Sequence, residues 1–271
     1  MKQENILIIF KTINKIMKTK LITLLVAIFA LLGSAYAQKK IEVYKNGEII
    51  LSEYVTEIDS IKFEEQTSPL PNTHNGHEYV DLGLPSGLKW ATCNVGATTP
   101  EEYGDYFAWG ETSPKDYYDW STYKYCNADL FSMTKYCVDS YLGTVDNKTS
   151  LELTDDAARV NWGGKWRMPT RAEQDELRNT SNCTWTWITQ NGVNGYKVTS
   201  KVNGNSIFLP AAGSRGSGYL DYAGTYGYYL SSSLDASNSY SAYVVGFNLN
   251  FVNWISSSGR IDGQSVRAVC E

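Results

Sequence analysis

Gly164-Lys-Trp166-Arg167-Met168-Pro169-Thr170-Arg-Ala172-Glu173 is the stretch on which the fold turns. Thr170 and Glu173 form a T-x-x-E capping box, in which each side chain satisfies an orphan amide of the helix start. Pro169 stands just before the cap. The box predicts a helix running to about Asn179. Upstream, Thr154-Asp155-Asp156-Ala-Ala-Arg-Val-Asn-Trp162 reads as a second short helix. Thr154 caps it, two acids sit where the helix dipole favours anions, and Gly163-Gly164 stops it.

Around these helices, strand-like runs recur at Glu78–Leu82, Leu88–Cys93, Tyr103–Trp109, Tyr196–Ser200, Ser206–Pro210, Ala242–Phe247 and Ser265–Cys270, broken by Gly, Pro, Asn and Ser. Two short helices among many short strands predict an α+β main domain over 77–271. Before it, Asn46-Gly47 between Ile41/Val43 and Ile49–Leu51 signals a hairpin. Residues 38–64 therefore read as a small N-terminal β-hairpin unit, with a third run at Ile58–Phe63. Residues 65–76, with two Pro, read as a solvated linker.

Residues 21–32 form an apolar run of 12 after Lys18 and Lys20, followed by Gly33-Ser34-Ala35-Tyr36-Ala37. A basic start, an apolar core and an A-x-A site make residues 1–37 a signal peptide cleaved after Ala37. The run falls short of the roughly 20 residues a membrane span needs, so the exported protein is expected to keep no stable span. A start at Met17 would give a signal of ordinary length. Export to the periplasm, cell surface or medium places five Cys in an oxidising space. Cys126 and Cys137 bracket a short polar loop and are the first choice for a disulfide. Cys93 and Cys270 would meet if the terminal strands pair, which leaves Cys183 free.

The chain of 271 residues carries 24 Lys+Arg and 29 Asp+Glu. Residues 1–37 hold five Lys and one Glu, which leaves 19 basic against 28 acidic residues and a charge of −9. No basic stripe survives, so nucleic acid is not an expected partner. The two His, His74 and His77, fall in or beside the linker without ligand-spaced Cys or carboxylates, and read as solvated side chains rather than metal ligands. With so little His, a Ser–His hydrolase is not expected, and Gly213–Gly218 lacks the Lys-Ser/Thr of a phosphate cradle and reads as a turn. Asp155-Asp156 reads as helix-start charge and Glu101-Glu102 as a solvated loop, so no catalytic carboxylate pair is assigned and no enzyme is expected. No cofactor is assigned; a structural calcium held by scattered Asp and Asn oxygens stays open, without named ligands. Arg167 and Arg267 read as structural salt-bridge residues.

Tyr219–Asp262 is biased: 20 of its 44 residues are Tyr, Asn or Ser. Tyr gives rigid contact area with a polar handle, and Ser and Asn give adaptable hydrogen bonds, the composition of recognition surfaces. Tyr219, Tyr222, Tyr226, Tyr240, Tyr243, Asn248, Asn250 and Trp254 are the candidate ligand-binding residues, for a glycan or a protein ligand. Trp90, Trp109, Trp162, Trp166, Trp185 and Trp187 go to the core and its rim.

The opening stretch resembles the Trp-Arg-Leu-Pro-Thr-x-x-Glu box of C-type-lectin-like bacterial domains and of the formylglycine-generating-enzyme family. The chain resembles more closely the Fibrobacter succinogenes major paralogous domain family, abundant in exported proteins of Bacteroidota. The matching pieces are Tyr79–Ala91, Ala108–Thr112, Asn161–Gly164, Phe208–Gly213, Gly227–Ser233 and Gly263–Arg267, in order across the main domain. Leu230, Gln174 and Ala268 depart from the family pattern and are expected to loosen local packing. The resemblance implies a C-type-lectin-like fold with paired terminal strands, no enzyme activity, and a variable C-terminal ligand surface corresponding to 219–262. The copper-binding Cys pair of a formylglycine-generating oxidase is not recognisable, nor are the calcium motifs of sugar-binding C-type lectins. The expected role is an exported, non-catalytic recognition protein of the cell envelope. The alternatives are an adhesin subunit whose N-terminal strands add to a partner's sheet, and a glycan-acting enzyme. Asp59-Ser60-Ile61 fits the Asp-Ser/Thr-apolar pattern of Bacteroidota O-glycosylation, which marks Ser60 for modification.

Overall fold

The computed structural model describes residues 25–26, 39–45, 48–55, 72–252 and 257–271. The signal-peptide residues other than Leu25 and Val26, the Asn46-Gly47 turn, Ser60, linker residues 65–71 and Trp254 lie outside them. The chain divides into two compact units, Met1–Gln66 and Thr67–Glu271. In the first, β1 (Leu25–Val26), β2 (Lys39–Lys45) and β3 (Glu48–Val55) form an antiparallel sheet in the order β1-β2-β3.

The second unit is α+β, built from small antiparallel sheets and two α-helices. Its strands are β4 (Thr73–His74), β5 (His77–Asp81), β6 (Lys89–Ala91), β7 (Cys183–Gln190), β8 (Val193–Ser200) and β9 (Ser206–Pro210). They continue as β10 (Ser214–Gly216), β11 (Tyr219–Asp221), β12 (Tyr226–Leu234), β13 (Ser241–Asn248), β14 (Ser257–Gly259) and β15 (Val269–Cys270). The helices are α1 (Ala157–Trp162) and α2 (Arg171–Arg178). The sheets are β15-β6-β5-β4, β7-β8-β9, β12-β13-β14 and the hairpin β10-β11. The expected strand at Tyr103–Trp109 is irregular chain with one β-bridge, Phe107 to Gln264, and main-chain bonds from Asp105 N to Val95 O and Trp109 N to Arg260 O.

The Trp166–Glu173 stretch is the hub. Thr170 and Glu173 close the expected capping box, with Glu173 Oε2 accepting from Thr170 N at 2.7 Å. Glu173 also takes both ends of the Arg167 guanidinium, at 2.7 and 2.8 Å. The Arg167 main chain pairs with Val269, so the box is tied to the last strand. Trp166 is wholly buried and its indole donates to His74 O at 2.8 Å. The cap of α1 is Asp156, not Thr154: Asp156 accepts from Arg159 N at 2.9 Å and from Met168 N at 2.8 Å, so one carboxylate joins the helix start to the box. Gln174 does not loosen its surroundings. Its buried amide donates to Tyr229 O and Leu230 O at 3.0 and 3.1 Å, fastening α2 to β12.

Two large apolar clusters fill the unit, one around Trp109, Trp162, Trp166 and Phe107, the other around Leu82, Trp90, Leu209, Tyr229 and Phe247, and a small third one holds Met133, Cys137 and Leu142. The long irregular segment between Thr112 and Leu153 is held from inside by two charged side chains. Arg260, wholly buried, donates from Nε to Tyr123 OH at 2.6 Å, from Nη1 to Tyr136 O and Ser239 O at 2.8 and 3.0 Å, and from Nη2 to Lys135 O at 3.0 Å. Its guanidinium faces the Trp109 and Tyr123 rings at 4.9 and 5.1 Å. Asp155, buried, accepts from Lys135 Nζ at 2.5 Å, Tyr136 OH at 2.7 Å and Lys124 Nζ at 3.2 Å. It is the centre of an ion-pair network rather than helix-start charge.

Neither expected disulfide is formed; all five thiols are free and buried. Cys126 Sγ donates to Trp120 O at 3.0 Å and Cys137 Sγ to Asp139 O at 3.1 Å, and the two lie in different apolar clusters. The terminal strands β6 and β15 do pair, but the register sets Cys270 opposite Lys89. Cys93 is four residues further along, roughly 13 Å away at about 3.3 Å per residue, beyond the roughly 7 Å that a disulfide bridges. Among the described residues no helix is long and apolar enough to cross a membrane.

Candidate functional site

The Gly-rich run Gly213–Gly218 contributes β10 and a two-residue turn, Ser217-Gly218, with both φ positive at 48° and 84°. That is the geometry of a tight hairpin turn. The hairpin is anchored by main-chain bonds: Arg215 N to Gly263 O at 2.7 Å, Gly263 N to Arg215 O at 2.8 Å, and Ser217 N to Tyr118 O at 3.0 Å. Gly263 is required here, because a Cβ would come within 2.7 Å of the Tyr118 ring. Tyr118 OH donates to Tyr106 O at 2.6 Å and accepts from Lys115 N at 3.1 Å, while Tyr106 OH donates to Ala212 O at 2.5 Å. Burial raises both phenols above their ordinary pKa, with Arg215 pulling the other way, so both stay neutral hydrogen-bonding groups.

These bonds join three distant segments around a cleft of about 310 Å³. Asp105 and Tyr106 line it from one segment, Lys115, Asp116 and Tyr118 from the second, and Arg215 from the third. Lys115 is committed to Glu111 and Thr122 O, both at 2.9 Å. The Arg215 guanidinium lies over the Tyr106 ring at 5.3 Å. Among the described residues, no side-chain or main-chain group bonds the Arg215 guanidinium or the carboxylates of Asp105 and Asp116. Sequence reading missed all three. They stand up to 110 positions apart, in segments without local periodicity, so nothing in the chain links them before it folds.

The candidate tyrosines do not form one surface. Tyr219 and Tyr222, 73% and 60% exposed, lie on and just after β11. Tyr222 meets Tyr226 edge-on at 5.1 Å, and Tyr226 stacks parallel to the buried Tyr228 at 6.2 Å. Tyr240 and Tyr243 belong to the other end of the β12–β13 pair. Tyr226 is opposite Asn248, while Leu234 is opposite Ala242, and five residues of strand put Tyr243 roughly 16 Å from that first pair. Tyr243 is also occupied: the Arg171 guanidinium covers its ring at 3.8 Å. Asn248 serves the chain itself, its Oδ1 accepting from Asn250 N and Phe251 N at 2.9 and 3.0 Å. Asn250 is exposed in the loop that follows.

His74 and His77 are not solvated linker side chains. They close the β4–β5 hairpin; His77 stacks on Trp162 at 4.0 Å, and His74 Nε2 accepts from Lys165 N at 2.8 Å. Among the described residues Arg267 makes no salt bridge: it is buried and donates to Asn94 Oδ1, Ala91 O and Thr92 O at 3.0 to 3.2 Å. Among the described residues no group of three or more His, Cys, Asp or Glu converges on a possible metal site.

Asp262, on the turn after β14, is mostly buried near Tyr228, with Ser258 Oγ donating at 3.4 Å. Burial pushes its carboxyl up to about 6. The native state therefore holds the proton above the unfolded value of about 3.9. Stability is lost as pH rises between those values, and the loss is complete above them. Asp262→Asn is expected to raise the unfolding free energy at pH 7.5 by up to about 3 kcal/mol, at about 1.4 kcal/mol per pKa unit, and to change little at pH 3.5. Denaturant titrations at both pH values check this; an equal effect at both overturns it. Compared with family models, curated proteins and solved structures, the chain matches none.

Proposed function

We propose that this protein is an exported, non-catalytic recognition protein of the bacterial cell envelope, its larger unit C-type-lectin-like, binding a glycan or protein ligand. The observation that carries the reading is the pair of exposed tyrosines, Tyr219 and Tyr222, on a hairpin fixed by main-chain bonds to Tyr118 and Gly263. Rigid aromatic area with little ordering cost is what a recognition surface needs. Paired terminal strands and two short helices beside small sheets agree with the C-type-lectin-like reading, and the basic, apolar and A-x-A pattern of residues 18–37 supports export.

The test is a screen of the purified protein on immobilised glycans, polysaccharides and envelope proteins, beside a Tyr219→Ala/Tyr222→Ala variant. Tight contacts of this kind lose about 1–2 kcal/mol per aromatic anchor, so the double variant is expected to bind at least tenfold more weakly. Binding to nothing on the array, or undiminished binding by the variant, overturns the reading.

A second reading rests on Asp105 and Asp116, two carboxylates lining one cleft, the minimum equipment of a glycan-acting enzyme. Release of reducing ends from a bound polysaccharide, abolished in Asp116→Asn, would favour it. The adhesin-subunit reading draws on the separate N-terminal unit with its β2–β3 hairpin. Deleting residues 38–65 would then abolish assembly and spare ligand binding.

A further inference from the structure

We infer that the cleft between Asp105, Asp116 and Arg215 is a second binding site, for a single neutral sugar residue recognised through a vicinal diol. The inference rests on the recognition reading for its setting, a protein that meets glycans, but not on the tyrosines. Strand alternation puts Arg215 and its cross-strand partner Leu220 on one face of the hairpin, and Tyr219 with Gly216 on the other.

The chemistry of the walls selects the ligand. Lys115 is spoken for by Glu111 and Thr122 O. That leaves one guanidinium, which only donates, and two carboxylates, which only accept. A carboxylate ligand would gain Arg215 but face two like charges. An ammonium ligand would gain the carboxylates but face the guanidinium. Adjacent hydroxyls on a pyranose donate to Asp105 and Asp116 and accept from Arg215 at once, with no net charge to desolvate. The planar guanidinium is held in place by the Tyr106 ring at 5.3 Å, so little side-chain entropy remains to be lost on binding. Tyr106 and Tyr118, buried and locked by their hydroxyl bonds, back the cleft behind the three charged groups. The volume, about 310 Å³, is at the small end of ligand clefts, which run roughly 300–1,000 Å³. It suits one ring rather than a chain.

The experiment is amide-detected NMR of the full protein, titrated with methyl pyranosides of three kinds: neutral hexoses, a uronate and an amino sugar. The expected result is millimolar binding of a neutral hexoside with shifts at Gly104–Tyr106 and Arg215, weakened at least tenfold in Arg215→Met and in Asp116→Asn. Asp116 is exposed and unbonded among the described residues, so its variant keeps the fold. The Tyr219→Ala/Tyr222→Ala variant is expected to bind the hexoside unchanged. Preference for the uronate or the amino sugar overturns the inference. So does the absence of cleft shifts with every hexoside while polysaccharide still binds through the tyrosines, which leaves the recognition reading standing. No binding of hexoside, polysaccharide or envelope protein removes both.

Discussion

Arg260→Met should lower the unfolding free energy by about 4 kcal/mol, the sum of several main-chain and hydroxyl acceptors left buried without a donor at about 1–3 kcal/mol each. The wild-type guanidinium serves Tyr123 OH, Tyr136 O, Ser239 O and Lys135 O, and no carboxylate neutralises it among the described residues. Its charge is accommodated instead by those oxygens and by the faces of Trp109 and Tyr123. Methionine fills similar space without donating. Arg260→Lys should recover little, because one ammonium cannot reproduce a planar fork spread over four oxygens. Denaturant titration followed by tryptophan fluorescence reads the difference; a loss under about 1 kcal/mol would show that the oxygens find water when the arginine is gone.

Asp155→Asn should cost about 3 kcal/mol at neutral pH, because it leaves Lys135 without its closest buried anion. Burial alone would raise the Asp155 carboxyl, but the hydrogen bonds from Lys135 and Tyr136 outweigh it and hold the group well below the usual carboxylate range. A native value below the unfolded one means the contribution is complete above about pH 4 and is lost as pH falls further. The gap between wild type and Asp155→Asn should therefore close in acid, as for Asp262, but from the opposite side, because here the variant is the less stable at neutral pH. A gap that persists at pH 2.5 would assign the loss to packing rather than to charge.

The parts of this fold that were legible in the chain are those fixed by neighbours in sequence. The Thr170–Glu173 box sets α2 within one turn, and Gly163-Gly164 ends α1 as read. The α1 start went one step astray because Thr154 and Asp156 are both competent caps; Asp156 prevails by also serving Met168 N, a contact the local sequence does not reveal. β12 was hidden for a different reason. Its serines are buried as small side chains, with Ser231 Oγ donating to Tyr243 O at 2.8 Å and Ser231 O accepting from Trp109 at 2.8 Å. A strand buried on both faces with serine in place of valine carries no hydrophobic alternation to read. Arg260 in Gly-Arg-Ile-Asp-Gly carries no local signal of burial, which depends on a loop over a hundred residues earlier. The candidate site divides in the same way: composition flagged the tyrosines, while Asp105, Asp116 and Arg215 are brought together by folding alone.

The pairing of β6 with β15 also governs when the larger unit can fold. Lys89–Ala91 must wait for Val269–Cys270, so a ribosome has to release about 180 further residues before that sheet can close. A topology this non-local delays the closing of that sheet until its last strand has emerged. A chain built so stays pliable until that strand arrives, which lengthens the time its apolar strands are exposed to pairing with the wrong partner.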